Sequence, residues 1–149
     1  MTDKTINEVQ DEIIDDFSML DGDMESTIFY IMELGNQLPT LDEKYYQSDN
    51  LVRGCQSKVW LNSSIKDGKV HFDADSNTDI TKGLITLLIK IWNDRSPDEI
   101  LDTDLYFIDK IGMNRVIGSK RSNGFASMIK QMKLYALGFK QKENLGYQA

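Results

Sequence analysis

Ser57-Lys58-Val59-Trp60-Leu61-Asn62-Ser63-Ser64-Ile65-Lys66-Asp67-Gly68-Lys69-Val70-His71-Phe72-Asp73-Ala74 is where the helical spacing of apolar residues gives way to short β-prone runs. Ser57 to Ile65 and Val70 to Ala74 flank Lys66-Asp67-Gly68-Lys69. Asp-Gly is a strong hairpin signal because both residues tolerate positive φ. Two strands need a third partner or a helix layer to be stable. Leu51-Val52 is the nearest segment able to supply part of one.

Helical patterns return on both sides. Upstream, residues 40–50 are polar and read as a loop, and Pro39 is expected to end the helix before it. That helix should start near Asp23 and carry Met24, Ile28, Ile31, Leu34 and Leu38 on one side. Ahead of it, Thr5-Ile6-Asn7-Glu8 reads as a capping box, followed by an apolar stripe of Ile6, Val9, Ile13, Phe17 and Leu20. Downstream, Ser76 and Asp79 suit a helix N-terminus, with Ile80, Leu84, Leu87, Leu88 and Ile91 forming a broad apolar face. Ser96-Pro97-Asp98-Glu99 opens a short helix, another spans about Leu105 to Ile111, and Gly112 stops it. The last helix is expected from about Ser122 to Leu137, with Phe125, Met128, Ile129, Met132, Tyr135 and Phe139 inward and a tail that frays from Lys140. Helices, a small antiparallel sheet, then helices again is an α+β order.

The 149 residues suit one domain, 1–149. One cysteine excludes an internal disulfide, and with His71 as the lone histidine no usual zinc or cluster ligand set exists. No secretion signal is visible at the N-terminus, and the most apolar run, Gly83 to Trp92, is too short to span a bilayer. A cytoplasmic protein is expected. The net charge of −7 argues against general nucleic-acid binding. Charge is unevenly placed: residues 1–25 carry nine acids and one lysine, and residues 110–142 carry eight bases and no acid. Two readings stand, solvated helix faces or a basic surface for an acidic partner.

A lone cysteine is by default a small buried hydrophobe. The neighbours of Cys55 suggest otherwise. Gly54 permits unusual backbone angles and close approach of another chain. Arg53 and Lys58 bracket the thiol with positive charge, which is expected to favour thiolate. Gln56 and Ser57 offer hydrogen bonds. His71, in the other hairpin strand, reads as an exposed strand residue rather than a base for Cys55. A thiol without base, second thiol or metal set can still accept sulfur from another protein's persulfide by attack on its outer sulfur.

Gly54-Cys55-Gln56-Ser57-Lys58-Val59-Trp60-Leu61 is similar to the GCQSxVW signature of the SufE family of sulfur acceptors, which includes CsdE. Glu33-Leu34-Gly35 with Leu38-Pro39 resembles the family's ELGxxLP. Asp75-Ser76, Ile80 and Gly83-Leu84 resemble its DSDAxIxxGL segment, and Arg121 with Asn123-Gly124 resembles SR-x-x-G before the last helix. Asn77 and Thr78 depart from the usual Asp-Ala, and Lys120 from serine. The resemblance implies an α+β domain with a curved antiparallel sheet packed by N- and C-terminal helices, a fold shared with IscU-type scaffolds. It implies a monomer without a cofactor of its own that docks on a SufS-type cysteine desulfurase, itself dependent on pyridoxal phosphate. Cys55 would take the sulfur as a persulfide, stimulate the desulfurase and deliver to SufBCD for iron–sulfur cluster assembly. Arg121 is expected near the cysteine loop or at the desulfurase interface, Trp60 in the core, and Asp75 and Ser76 as helix caps. The alternatives are an IscU-like scaffold, which one cysteine disfavours, and an interaction module in which Cys55 only packs.

Overall fold

The computed structural model describes residues 4–146. Its elements follow the expected order: α1 (Ile6–Ser18), α2 (Met24–Gly35), β1 (Val59–Lys66), β2 (Lys69–Ser76), α3 (Asp79–Trp92), α4 (Pro97–Leu101), α5 (Phe107–Ile111) and α6 (Met113–Asn144). Short 3-10 turns at Glu43–Tyr45 and Ser48–Asn50 shape the loop before the hairpin. Both capping boxes form, Thr5 with Glu8 on α1 and Ser96 with Glu99 on α4, each satisfying two backbone donors that lack helical partners.

β1 and β2 pair antiparallel, with Lys66 opposite Lys69 across Asp67-Gly68, both at positive φ. Leu51 bridges to Trp60 on one edge, and Arg95 bridges to Val70 on the other. The hairpin thus has both edges covered without a full third strand. Its inner face buries Val59, Leu61, Val70, Phe72 and Ala74. α3 lies over β2, and its residues Leu84, Leu87, Leu88, Ile91 and Trp92 are almost wholly buried. α1, α2 and α6 surround α3, which makes it the centre of the core. Burial of apolar surface stabilises by about 25 cal/mol per Å², and this central stripe contributes through five nearly wholly buried side chains.

Several boundaries differ from expectation, each for a physical reason. α2 ends at Gly35, before Pro39 is reached; Asn36 caps it, and the Leu38 N–H donates to the Gly35 carbonyl. Asp75 and Ser76 do not cap α3. They close β2, and Thr78 occupies the cap position. Asp75 instead accepts a hydrogen bond from the Tyr46 hydroxyl and faces Lys82 at 3.6 Å. That carboxylate pushes the Tyr46 hydroxyl up to about 12. Trp60 is not in the core. Alternation puts it on the face opposite Val59 and Leu61, half-buried and edge-on to Tyr46 at 5.0 Å. The last helix starts at Met113, is broken at Gly118 (φ 83°, ψ 167°) and continues through Asn144. The tail does not fray at Lys140. Lys140 Nζ meets Asp98 Oδ1 at 2.6 Å, and Phe139 packs against the core. Residues 147–149 of the expected tail lie outside the described residues.

Gln10 is a buried polar residue that no periodicity marks. Its Nε2 donates to the Asp104 carbonyl at 3.0 Å, and its Oε1 accepts from the Phe107 N–H at 3.2 Å, tying α1 to the start of α5. Gln10→Leu would leave a buried N–H and a carbonyl unpaired. The expected loss is about 1–3 kcal/mol, seen as a lower urea midpoint with an unchanged slope. An unchanged midpoint would refute this reading of Gln10.

Candidate functional site

Cys55 sits in the turn between Val52 and β1, and two elements hold that turn in place. On one side is α6. Gly54 takes φ +91° and packs so closely on it that an added Cβ would lie 2.5 Å from Ser127 Oγ. Only glycine suits both the backbone angle and the space. One turn earlier on α6, the Gly124 carbonyl accepts the Cys55 Sγ hydrogen at 3.4 Å, and a Cβ at Gly124 would stand 3.5 Å from that sulfur. On the other side is the start of α3. Lys58 N–H donates to Asn77 Oδ1 at 3.0 Å, and the Asn77 N–H donates back to the Lys58 carbonyl at 3.3 Å. The hydroxyls of Ser57, Thr78 and Thr81 form a cluster with separations of 2.8–3.4 Å.

Between these supports lies a cavity of about 310 Å³ with Cys55 in its wall. Leu84, Phe125 and Met128 give it an apolar side, and the three hydroxyls give it a polar one. Gln56, Lys120, Arg121 and Asp79 also line it, with exposed Met32 from α2. Lys120 and Arg121 form no ion pair among the described residues; Arg121 Nη1 reaches back to the Ile117 carbonyl at 3.5 Å. The cavity can shelter a thiol, with a sulfur atom attached, from bulk water. It has no histidine in its wall. His71 is exposed on the hairpin between Asp73 at 3.4 Å and Asp94 at 3.7 Å.

Arg121, Gln56 and Ser57 line the same cavity as Cys55. Arg53 and Lys58 do not. The exposed Arg53 lines a separate hollow beside Lys130, and exposed Lys58 lies outside the cavity wall. The expectation that these two cations favour thiolate is corrected accordingly. Half-burial pushes the Cys55 thiol above its ordinary value. Desolvation disfavours the charged form. Burial thus works against formation of the nucleophilic thiolate. Alkylation of Cys55 by iodoacetamide in the free protein should rise with pH through a midpoint above that of an unhindered cysteine. A midpoint at or below that of free cysteine would show a thiol already activated.

Sequence reasoning missed the bracing roles of Asn77, Thr78 and Thr81. Asn77 and Thr78 read as interchangeable polar residues at a helix start, and only the tertiary contact shows that they hold the cysteine turn.

The fold and the site together define a class: small α+β proteins with one sheltered cysteine in the turn before a hairpin, packed against the last helix. Comparison with solved structures supports the architecture. A hypothetical protein from Thermus thermophilus, known from its solution structure, superposes with a TM-score of 0.71. The match covers 87% of this chain and 94% of that one, at 16% identity, a likeness that speaks for the fold alone. Residues 11–136 match the family model described as SufE, Fe-S metabolism associated domain. An uncharacterized SufE-like protein of Rhizobium meliloti (strain 1021) is 37% identical over 133 residues, 86% of this chain and 94% of its own length. Another from Rhizobium etli is 37% identical over 128 residues, 83% and 86% of the two chains. The chain belongs to the SufE family, and a sulfur-transfer role in iron–sulfur metabolism goes with that membership. Among the described residues no helix is long and apolar enough to cross a membrane.

Proposed function

We propose that this protein accepts sulfur from a SufS-type cysteine desulfurase onto Cys55, carries it as a persulfide, and passes it to the SufBCD scaffold in the cytoplasm. The observation that carries the reading is the placement of Cys55: one thiol, in the turn of a SufE signature, in the wall of a cavity that holds more than the thiol alone. In the transfer, the Cys55 thiolate attacks the outer sulfur of the desulfurase persulfide. A new S–S bond forms on Cys55, the old S–S bond breaks, and the desulfurase cysteine departs as thiolate. Delivery repeats the exchange, with the recipient's thiolate attacking the outer sulfur on Cys55. Both steps conserve oxidation state, so no external oxidant or reductant enters.

The raised thiol value fits a carrier more than a free-standing enzyme. Because burial disfavours the thiolate, a docked partner that removes the proton or draws the turn out of its cavity would favour the reaction. Lys120 and Arg121, unpaired beside Cys55, are placed to attract an anionic sulfur donor. Scaffold chemistry of the IscU kind is disfavoured, since among the described residues no group of three or more His, Cys, Asp or Glu could hold a metal. The test is cysteine desulfurase turnover with wild type and Cys55→Ser in parallel. Stimulation by wild type and none by the variant supports the relay. Equal stimulation by both would favour a module in which Cys55 only packs.

A further inference from the structure

A second hollow of about 390 Å³ lies on the other side of the cysteine turn, between that turn and α6. It has no lining residue in common with the Cys55 cavity, but it borders the same turn, with Arg53 two residues before Cys55. Ser127 lines it, and Ser127 is the residue against which Gly54 packs. Arg53 and Lys130 line it with exposed side chains, and neither forms an ion pair among the described residues. Its one carboxylate is Asp49; Leu134, 48% exposed, adds apolar surface.

Unpaired cations beside a reactive thiol have two plain uses, to stabilise its thiolate or to meet charges on a partner. Arg53 and Lys130 do not serve the first, because neither enters the wall of the Cys55 cavity. A specific interface covers about 800 Å² per partner, enough for a protein that reaches Cys55 to cover also the hollow on the other side of the same turn. The chain as a whole carries −7, with acids gathered on α1. A partner rich in carboxylates would be repelled from α1 and steered toward this basic strip.

Building on the sulfur-acceptor reading, we propose that this hollow receives a carboxylate-bearing surface segment of the cysteine desulfurase that donates sulfur to Cys55. Arg53 and Lys130 are its charge contacts, and Leu134 packs beside them. The hollow contributes affinity and approach rate, whereas the sulfur exchange itself belongs to Cys55.

The test titrates the intact protein into a SufS-type desulfurase at low and high salt and reads alanine release. The variants are Arg53→Glu/Lys130→Glu and its milder form Arg53→Gln/Lys130→Gln. The control is Lys110→Glu/Arg115→Glu, whose cations line a different hollow against α1. The charge-reversed variant should need about tenfold more protein for half-maximal stimulation, reach the wild-type plateau, and lose most of the salt dependence. The glutamine form should shift the same way by less, and the control should titrate as wild type. Titration of both variants like wild type would overturn the proposal, as would a defect confined to delivery from preloaded Cys55, which would assign the hollow to the recipient. Wild type that neither stimulates nor accepts sulfur would instead sink the acceptor reading, and this proposal with it.

Discussion

Gly83→Ala should cost at least about 3 kcal/mol of stability, although alanine is the better helix former. Gly83 lies inside α3 with ordinary helical angles, so propensity alone predicts a gain of about 1 kcal/mol. Packing decides the sign. A Cβ at Gly83 would lie 1.9 Å from the Ile31 carbonyl oxygen of α2 and 2.7 Å from its carbon. Those are backbone atoms, which no rotamer change can move aside. Gly35 faces the same crossing, where a Cβ would be 2.8 Å from Lys82 Cβ and 3.0 Å from the Asp79 carbonyl. To admit the methyl group, α2 must shift and draw Ile31 and Leu34 out of the core. Domains hold only about 5–15 kcal/mol in all, so urea unfolding should register a large drop in midpoint. Met32, on the same helix, borders the Cys55 cavity, and sulfur acceptance should weaken as well. A midpoint equal to or above wild type would contradict the close crossing.

Cys55→Ser should produce the opposite pattern, with loss of function and retention of fold. The side chain is half-buried and makes one weak hydrogen bond, to the Gly124 carbonyl. A serine hydroxyl fills nearly the same space and donates more strongly, so the stability change should stay within about 1 kcal/mol. Desulfurase stimulation should nevertheless fall to the level seen without the protein, because an alcohol cannot accept the sulfur by thiolate exchange. Unfolding curves and turnover measured on the same preparation separate the two effects. A variant that loses both together would point to a structural role for the thiol.

What the sequence disclosed follows from which forces act locally. The Asp67-Gly68 turn, the capping boxes and the apolar stripes of α1 and α3 depend on neighbours within a few residues, and each forms where the sequence places it. The ends of β2 and α6 escape such reading because tertiary partners set them. Asp75 follows Tyr46 and Lys82 rather than capping α3, and Lys140 follows Asp98 rather than fraying. The position of Cys55 before the hairpin was legible from Gly54 and the signature around it. The resting state of its thiol was not. Arg53 and Lys58 are close in sequence, yet neither enters the wall of its cavity, and burial rather than charge governs it. Gln10 gave no sign in one dimension, and Gly83 showed only as part of a family-like segment, since the importance of each lies in a backbone group far along the chain.

The central claim, that Cys55 carries the sulfur, is tested most directly by intact-mass spectrometry after incubation with a SufS-type desulfurase and cysteine, without reductant. Wild type should gain the mass of one sulfur atom, mapped by peptide analysis to Cys55 and removed by dithiothreitol. With a desulfurase known to be competent, an unmodified wild-type mass or a sulfur adduct persisting in Cys55→Ser would contradict it.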